Sequence, residues 1–115
     1  MTAIVELPLR LESLSNKREH WAVRHKRAKA HRSAAYLACK AHPLPCVVTI
    51  TRIAPRALDD DNLRHAAKSV RDGIADRLGV DDRDPRVEWR YAQASSARPK
   101  HYACLVQIDA PGDTP

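Results

Sequence analysis

Phenylalanine is absent from this chain, and two tryptophans and three tyrosines are its only aromatics. Much of the apolar content is alanine, so the core of these 115 residues must be lean. A domain of this size buries roughly two-thirds of the surface its unfolded chain exposes, and a partner subunit would add to that. No apolar run approaches the ~20 residues of a membrane span, which argues against a membrane partner. The opening Met1-Thr2-Ala3-Ile4-Val5-Glu6 does not have the pattern of a signal peptide. Cys39, Cys46 and Cys104 are odd in number and lack a CxxC spacing. That argues for reduced thiols in a cytoplasmic protein rather than a disulfide frame or a zinc site. Internal repeats and low-complexity segments are missing too. The expectation is a single domain over 1–115, folded over 3–109, with 110–115 as a frayed tail.

Charge is plentiful and unevenly placed. Residues 1–58 hold eleven Lys/Arg against three acids, a balance of +8, whereas residues 59–115 hold nine against eleven, a balance of −2. A basic half joined to an acidic half suggests that one part grips a polyanion and the other holds a metal. Six of the fourteen acids lie in two clusters, Asp59-Asp60-Asp61 and Asp81-Asp82-Arg83-Asp84. Neighbouring like charges repel and raise one another's pKa, so a divalent cation is the simplest reason to gather them. Mg²⁺, or Mn²⁺ in its place, is a hard cation that takes one or two carboxylates together with water and substrate phosphate.

Along the chain, Val5, Leu7, Leu9 and Leu11 alternate with polar and other neighbours, which predicts a strand over 3–11 with Pro8 marking an edge or a bulge. Ser13-Leu14-Ser15-Asn16 reads as a turn and helix cap. A long helix is expected from Lys17 to about Ala41, with Trp21, Ala28, Ala34, Ala35, Leu37 and Ala38 as its apolar stripe. Between Lys17 and Arg32 that helix carries seven Lys/Arg and a single acid, Glu19. Like charges at i,i+4 repel and phosphate contact would relieve them, so Lys17, Arg18, Arg24, Lys26, Arg27, Lys29 and Arg32 are the candidate DNA-binding residues. A solvated helix face is the ordinary alternative.

Cys46 to Ile53 is rich in β-branched residues and reads as a strand. A second helix follows over about 61–78, capped by Asp60 or Asp61, with Leu63, Ala66, Ala67, Val70, Ile74 and Leu78 at helical spacing and Gly79 after its end. Val87, Trp89 and Tyr91 mark a third strand and His101–Ile108 a fourth. The order β-α-β-α-β-β implies an α+β fold, a mixed sheet with two helices on one face.

Asp59 and Asp61 lie two apart before the helix. On an extended approach they point the same way and can meet one ion, leaving Asp60 as the cap. Asn62 could orient a ligand. His65 and Lys68 follow on the helix face, and Lys68 could reach a phosphate oxygen and stabilise charge building in a transition state. Capping and solvation alone would also account for the acids, with Lys68 pairing with Asp72 and His65 covering surface.

The series Arg56-x-x-Asp59-x-Asp61-Asn62-Leu63, an alanine-rich helix, then Asp81-Asp82 and a strand, resembles the RusA family of Holliday junction resolvases. Ser13-Leu14-Ser15-Asn16 sits where that family carries its Ser-Asn turn, and the likeness spans roughly 3–108. The resemblance implies a RusA-like fold and a homodimeric, Mg²⁺-dependent endonuclease of recombination and repair, of a kind often encoded by prophages, that nicks four-way DNA junctions. Asp59, Asp61 and Asp82 would be its catalytic, metal-binding carboxylates. The family's lysine falls where this chain has His65, and Lys68 follows one turn later. A non-catalytic DNA-binding module and a metal-dependent RNase are the alternatives. A helix over 62–78 is about 25 Å long, and the three residues from Gly79 to Asp82 span at most ~10 Å. If both clusters serve one site, Asp82 is therefore expected from a second subunit across a two-fold axis.

Overall fold

A computed structural model describes residues 2–12, 21–96 and 98–112. Its elements run β1 (Thr2–Leu7), α1 (Trp21–Ala38), β2 (Cys46–Ala54), α2 (Asp60–Leu78), β3 (Val87–Ser95) and β4 (Ala103–Asp109). The fold is α+β, with a four-stranded mixed sheet in the order β1-β4-β2-β3. β2 and β3 pair in parallel through α2, while β4 inserts antiparallel between β1 and β2.

Register explains why both helices share one face. Val48, Ile50 and Arg52 of β2 stand opposite Ile108, Val106 and Cys104 of β4, and opposite Trp89, Tyr91 and Gln93 of β3. Alternation along a strand sends that whole set to one side. The core is built there, from Leu7, Val48, Ile50, Cys104, Val106 and Ile108 against Ala35 of α1, Cys39 just beyond its end, and Ala67, Val70 and Ile74 of α2. The thiols of Cys39, Cys46 and Cys104 are free and buried. Burial, with Cys39 close by, pushes the Cys104 thiol up to about 12, so it stays protonated and acts as a small apolar side chain. Among the described residues no helix is long and apolar enough to cross a membrane.

Several expected boundaries move. β1 stops at Leu7 rather than Leu11, because the chain turns at Pro8, with Leu9 N donating to Leu7 O at 2.8 Å. β1 is an edge strand, as Pro8 suggested. β3 extends to Ser95, paired along its whole length with β2, so alternation beyond Tyr91 underestimated it. α1 ends at Ala38, not Ala41. Its stripe is also different: Ala35 is fully buried, but Trp21 and Leu37 face outward at 72% and 75% exposure. The expected turn at 13–16, with Lys17 and Arg18, lies outside the described residues, as does the tail beyond Gly112.

The two helices meet most closely at Gly73. A Cβ there would stand 2.2 Å from the carbonyl oxygen of Arg32 and 2.9 Å from the Ala35 Cβ. Alanine is the better helix former by ~1 kcal/mol, yet the backbone of α1 cannot yield as a flexible side chain would. Gly73→Ala should therefore lower stability by about 1–3 kcal/mol, read as a lower urea midpoint with an unchanged slope. A rise in the midpoint would mean that the helices do not pack through Gly73.

Candidate active site

The acidic loop is assembled from beneath by two polar side chains. Arg52, only 7% exposed, sits on the core row of β2. Its Nε donates to Leu11 O at 2.8 Å and its Nη1 to Arg56 O at 2.6 Å. Burial lowers its pKa from the usual arginine value, and the carbonyl oxygens offset the lost hydration. Beside it, the Gln93 amide accepts from Leu58 N at 2.8 Å and donates to Leu58 O at 2.7 Å. This side chain thus pairs with a backbone that has left the sheet, fixing residues 56–58 just before the first cluster.

Asp59 is the cap of α2, a role expected for Asp60 or Asp61. It keeps extended backbone angles, φ −70° and ψ 168°. One carboxylate oxygen accepts from Asn62 N at 2.9 Å and the other from Asn62 Nδ2 at 3.1 Å. Asn62 therefore orients Asp59. Asp60 and Asp61 lie in the first helical turn, where the positive end of the helix dipole favours their charge. Because Asp61 is helical, the extended-chain rule that placed Asp59 and Asp61 side by side does not apply.

The second cluster divides its labour. Asp81 accepts from Arg83 N at 2.8 Å, and Asp84 accepts from Arg86 N at 2.9 Å while pairing with the Arg86 guanidinium at 2.7 Å. The Arg86 contacts hold the Asp84 carboxyl at about 2. Both residues shape the turn into β3. Asp82 alone turns toward α2, where its carboxylate lies 3.2 Å from Lys68 Nζ, with Asp72 on the same ammonium at 2.8 Å. Arg71 fastens this turn: its Nη2 donates to Asp82 O at 2.5 Å and its Nη1 to Tyr91 Oη at 3.0 Å. Its guanidinium also stacks 4.6 Å from the Trp89 ring centre.

The chain after α2 does come back on itself, so Asp82 meets Lys68 within one subunit. A return of ~10 Å covers about seven residues of a helix rising 1.5 Å each, which is the distance from Leu78 to Arg71. Long side chains on α2 bridge the rest. Asp61, Arg64, Lys68 and Arg71 recur at three- and four-residue spacing along one stripe of α2, and Asp82 meets that stripe at its Lys68–Arg71 end. Among the described residues no three Asp, Glu, His or Cys side chains gather as a cation site. Asp59, Asp61 and Asp82 are carboxylates, the donor type of which a hard cation takes one or two with water making up the rest.

The basic helix is less uniformly available than its sequence suggests. Arg32 forms a two-pronged pair with Asp76 of α2, at 2.7 and 2.9 Å. Arg27 lies 3.6 Å from Glu12, and Arg24 and Arg27 are half-buried against α2, where His31 and His65 line the same small cleft. Lys26 and Lys29 are exposed, with no carboxylate partner among the described residues. Arg71 was legible as the continuation of the Asp61–Lys68 spacing, and Arg52 as a charge on a core-facing strand position. Nothing in the sequence marks Gln93 as the partner of Leu58.

No family model and no curated protein matches this chain. Among solved structures it is similar to a mutant of FtsZ from M. jannaschii, with 16% identity and a TM-score of 0.43. That match covers 96% of this chain and 27% of the other, so this chain spans about a quarter of that structure's length. A likeness at this level bears on neither family nor activity.

The Lys68 contact lowers the Asp82 pKa from its ordinary value. A carboxyl depressed in the folded state adds stability above its unfolded pKa, and that stability is lost as pH falls through the folded value. In Lys68→Ala, the Asp82 carboxyl midpoint, followed by carbon NMR, should rise toward the usual ~3.9. An unmoved midpoint would separate Asp82 from Lys68.

Proposed function

We propose that this protein is a metal-dependent endonuclease that cuts phosphodiester bonds of branched DNA, acting on four-way junctions as a RusA-like resolvase in recombination and repair. The observation that supports it best is the return of Asp82 to Lys68, on the face of α2 that also presents Asp61. This places carboxylates and a cation on one surface beside a basic helix. Asp59, Asp61 and Asp82 would hold Mg²⁺ or Mn²⁺. When bound, the cation supplies positive charge that polarises a phosphoryl oxygen and makes water more acidic. Asn62 keeps Asp59 oriented, and Lys68, which Asp72 and Asp82 hold at the surface of α2, would donate to a phosphate oxygen. Lys26 and Lys29, joined by Lys17, Arg18, Arg24, Arg27 and Arg32, would grip the DNA backbone. Two copies in a homodimer would present paired sites to the two strands cut in a junction.

A second reading, a DNA-binding module without catalysis, is favoured by one feature. Both oxygens of Asp59 are already used in capping, and Lys68 is held by two carboxylates. The test is nicking of a synthetic four-way DNA junction with and without Mg²⁺, beside an RNA junction of the same sequence. The proposal expects metal-dependent cutting of DNA. Asp61→Asn should bind the junction with wild-type affinity and lose cutting by at least about a hundredfold. Tight binding without cutting in any divalent metal would leave the module, and preference for RNA would make it an RNase.

A further inference from the structure

Arginine has five N–H donors in a fixed fork, and those of Arg52 are unevenly used. Nε and Nη1 hold the carbonyls of Leu11 and Arg56, with Gln93 Oε1 at 3.5 Å from Nη1. Nη2 has no acceptor among the described residues, yet it is not one of the unpartnered side-chain atoms sealed from solvent. No carboxylate there lies within ion-pair distance of this guanidinium, and Glu12 acts on it only through its charge. A buried charge is ordinarily paired. Arg52 lines a cavity of about 100 Å³ at the carboxyl ends of β2 and β3, together with Arg56, Gln93, Ser95 and the Pro55–Ala57 backbone. At ~30 Å³ per water, that is room for about three waters, or one phosphoryl group. The nearest acid on a neighbouring segment, Glu12, is engaged by Arg10 at 2.7 Å and by Arg27 at 3.6 Å.

We propose that this cavity is a phosphate-binding subsite, in which Nη2 of Arg52 and the guanidinium of Arg56 hold a phosphoryl group beside the Asp59 loop. Arg52 is the fixed donor, because Leu11 and Arg56 pin its other nitrogens. Arg56 is exposed and closes over the anion from the loop. Gln93 keeps the floor in place through Leu58. The phosphate is either free or part of a nucleic-acid backbone, and only the second source rests on the nuclease reading.

Binding is measured on the whole chain in EDTA, at constant ionic strength, by the arginine Nε–H signals in proton–nitrogen NMR. The probes are inorganic phosphate and a short single-stranded DNA oligonucleotide. A saturable shift of the Arg52 signal is expected, weakened by at least about tenfold in Arg56→Ala and unchanged for inorganic phosphate in Lys26→Ala/Lys29→Ala. Arg52→Ala would also remove the anchors to Leu11 and Arg56, so Arg56→Ala carries the test. Saturation by the oligonucleotide alone assigns the phosphate to a nucleic-acid backbone, and saturation by inorganic phosphate alone assigns it to a free anion. Absence of a saturable shift with both probes, or equal affinity in Arg56→Ala, overturns the subsite. Junction nicking is scored separately: cutting without phosphate binding removes the subsite and leaves the nuclease, and binding without cutting does the reverse.

Discussion

The parallel pairing of β2 with β3 is the constraint from which the rest follows. Parallel strands need a crossover, and α2 supplies it over 19 residues, about 28 Å of helix. The first acidic cluster must then lie where the chain enters α2, and the second where it leaves. The same pairing puts the ends of β2 and β3 together, with the Arg52 cavity between them and the Asp59 loop above. The two acidic clusters, Lys68 and the Arg52 cavity are therefore all placed by one β-α-β unit, whereas the candidate DNA-binding cations belong to α1 and the segment before it. β1, β4 and α1 complete the core beneath that unit.

Although among the described residues the acids of the two clusters do not gather as a cation site, within that unit Arg71 of α2 holds the Asp82 carbonyl, the Tyr91 hydroxyl and the Trp89 ring at once. It thereby ties the turn after α2 both to the helix and to the edge strand. Lys68 then takes the Asp82 carboxylate. The lean core is served by the same economy: Gly73 lets α1 approach α2 closely, so alanine-sized side chains suffice to fill the space between the helices.

The cationic surface shows how tertiary contacts edit a charge run. Arg32 and Arg27 spend their charge on acids of other segments, which single-sequence spacing cannot reveal, because Asp76 lies 44 positions from Arg32. Arg52 is the opposite case. Its place on the row of Val48 and Ile50 was visible by alternation, yet its carbonyl partners come from loops separated from it in sequence. A residue's role at the acidic site depends in the same way on backbone geometry. Asp59 caps because its backbone is extended, while Asp61, two residues on, is already helical.

The sequence by itself determined the element order, the strand and helix identities, the end of α2 at Gly79 and the two acidic clusters. These are local properties, set by period, turn chemistry and charge over a few residues. Only the tertiary structure decided that Asp59 is the cap, that Asp82 meets Lys68 within one subunit, and that Gln93 braces Leu58. Each depends on where the chain returns in space, and that is fixed by the register of β2 against β3 and by long polar side chains reaching across the gap.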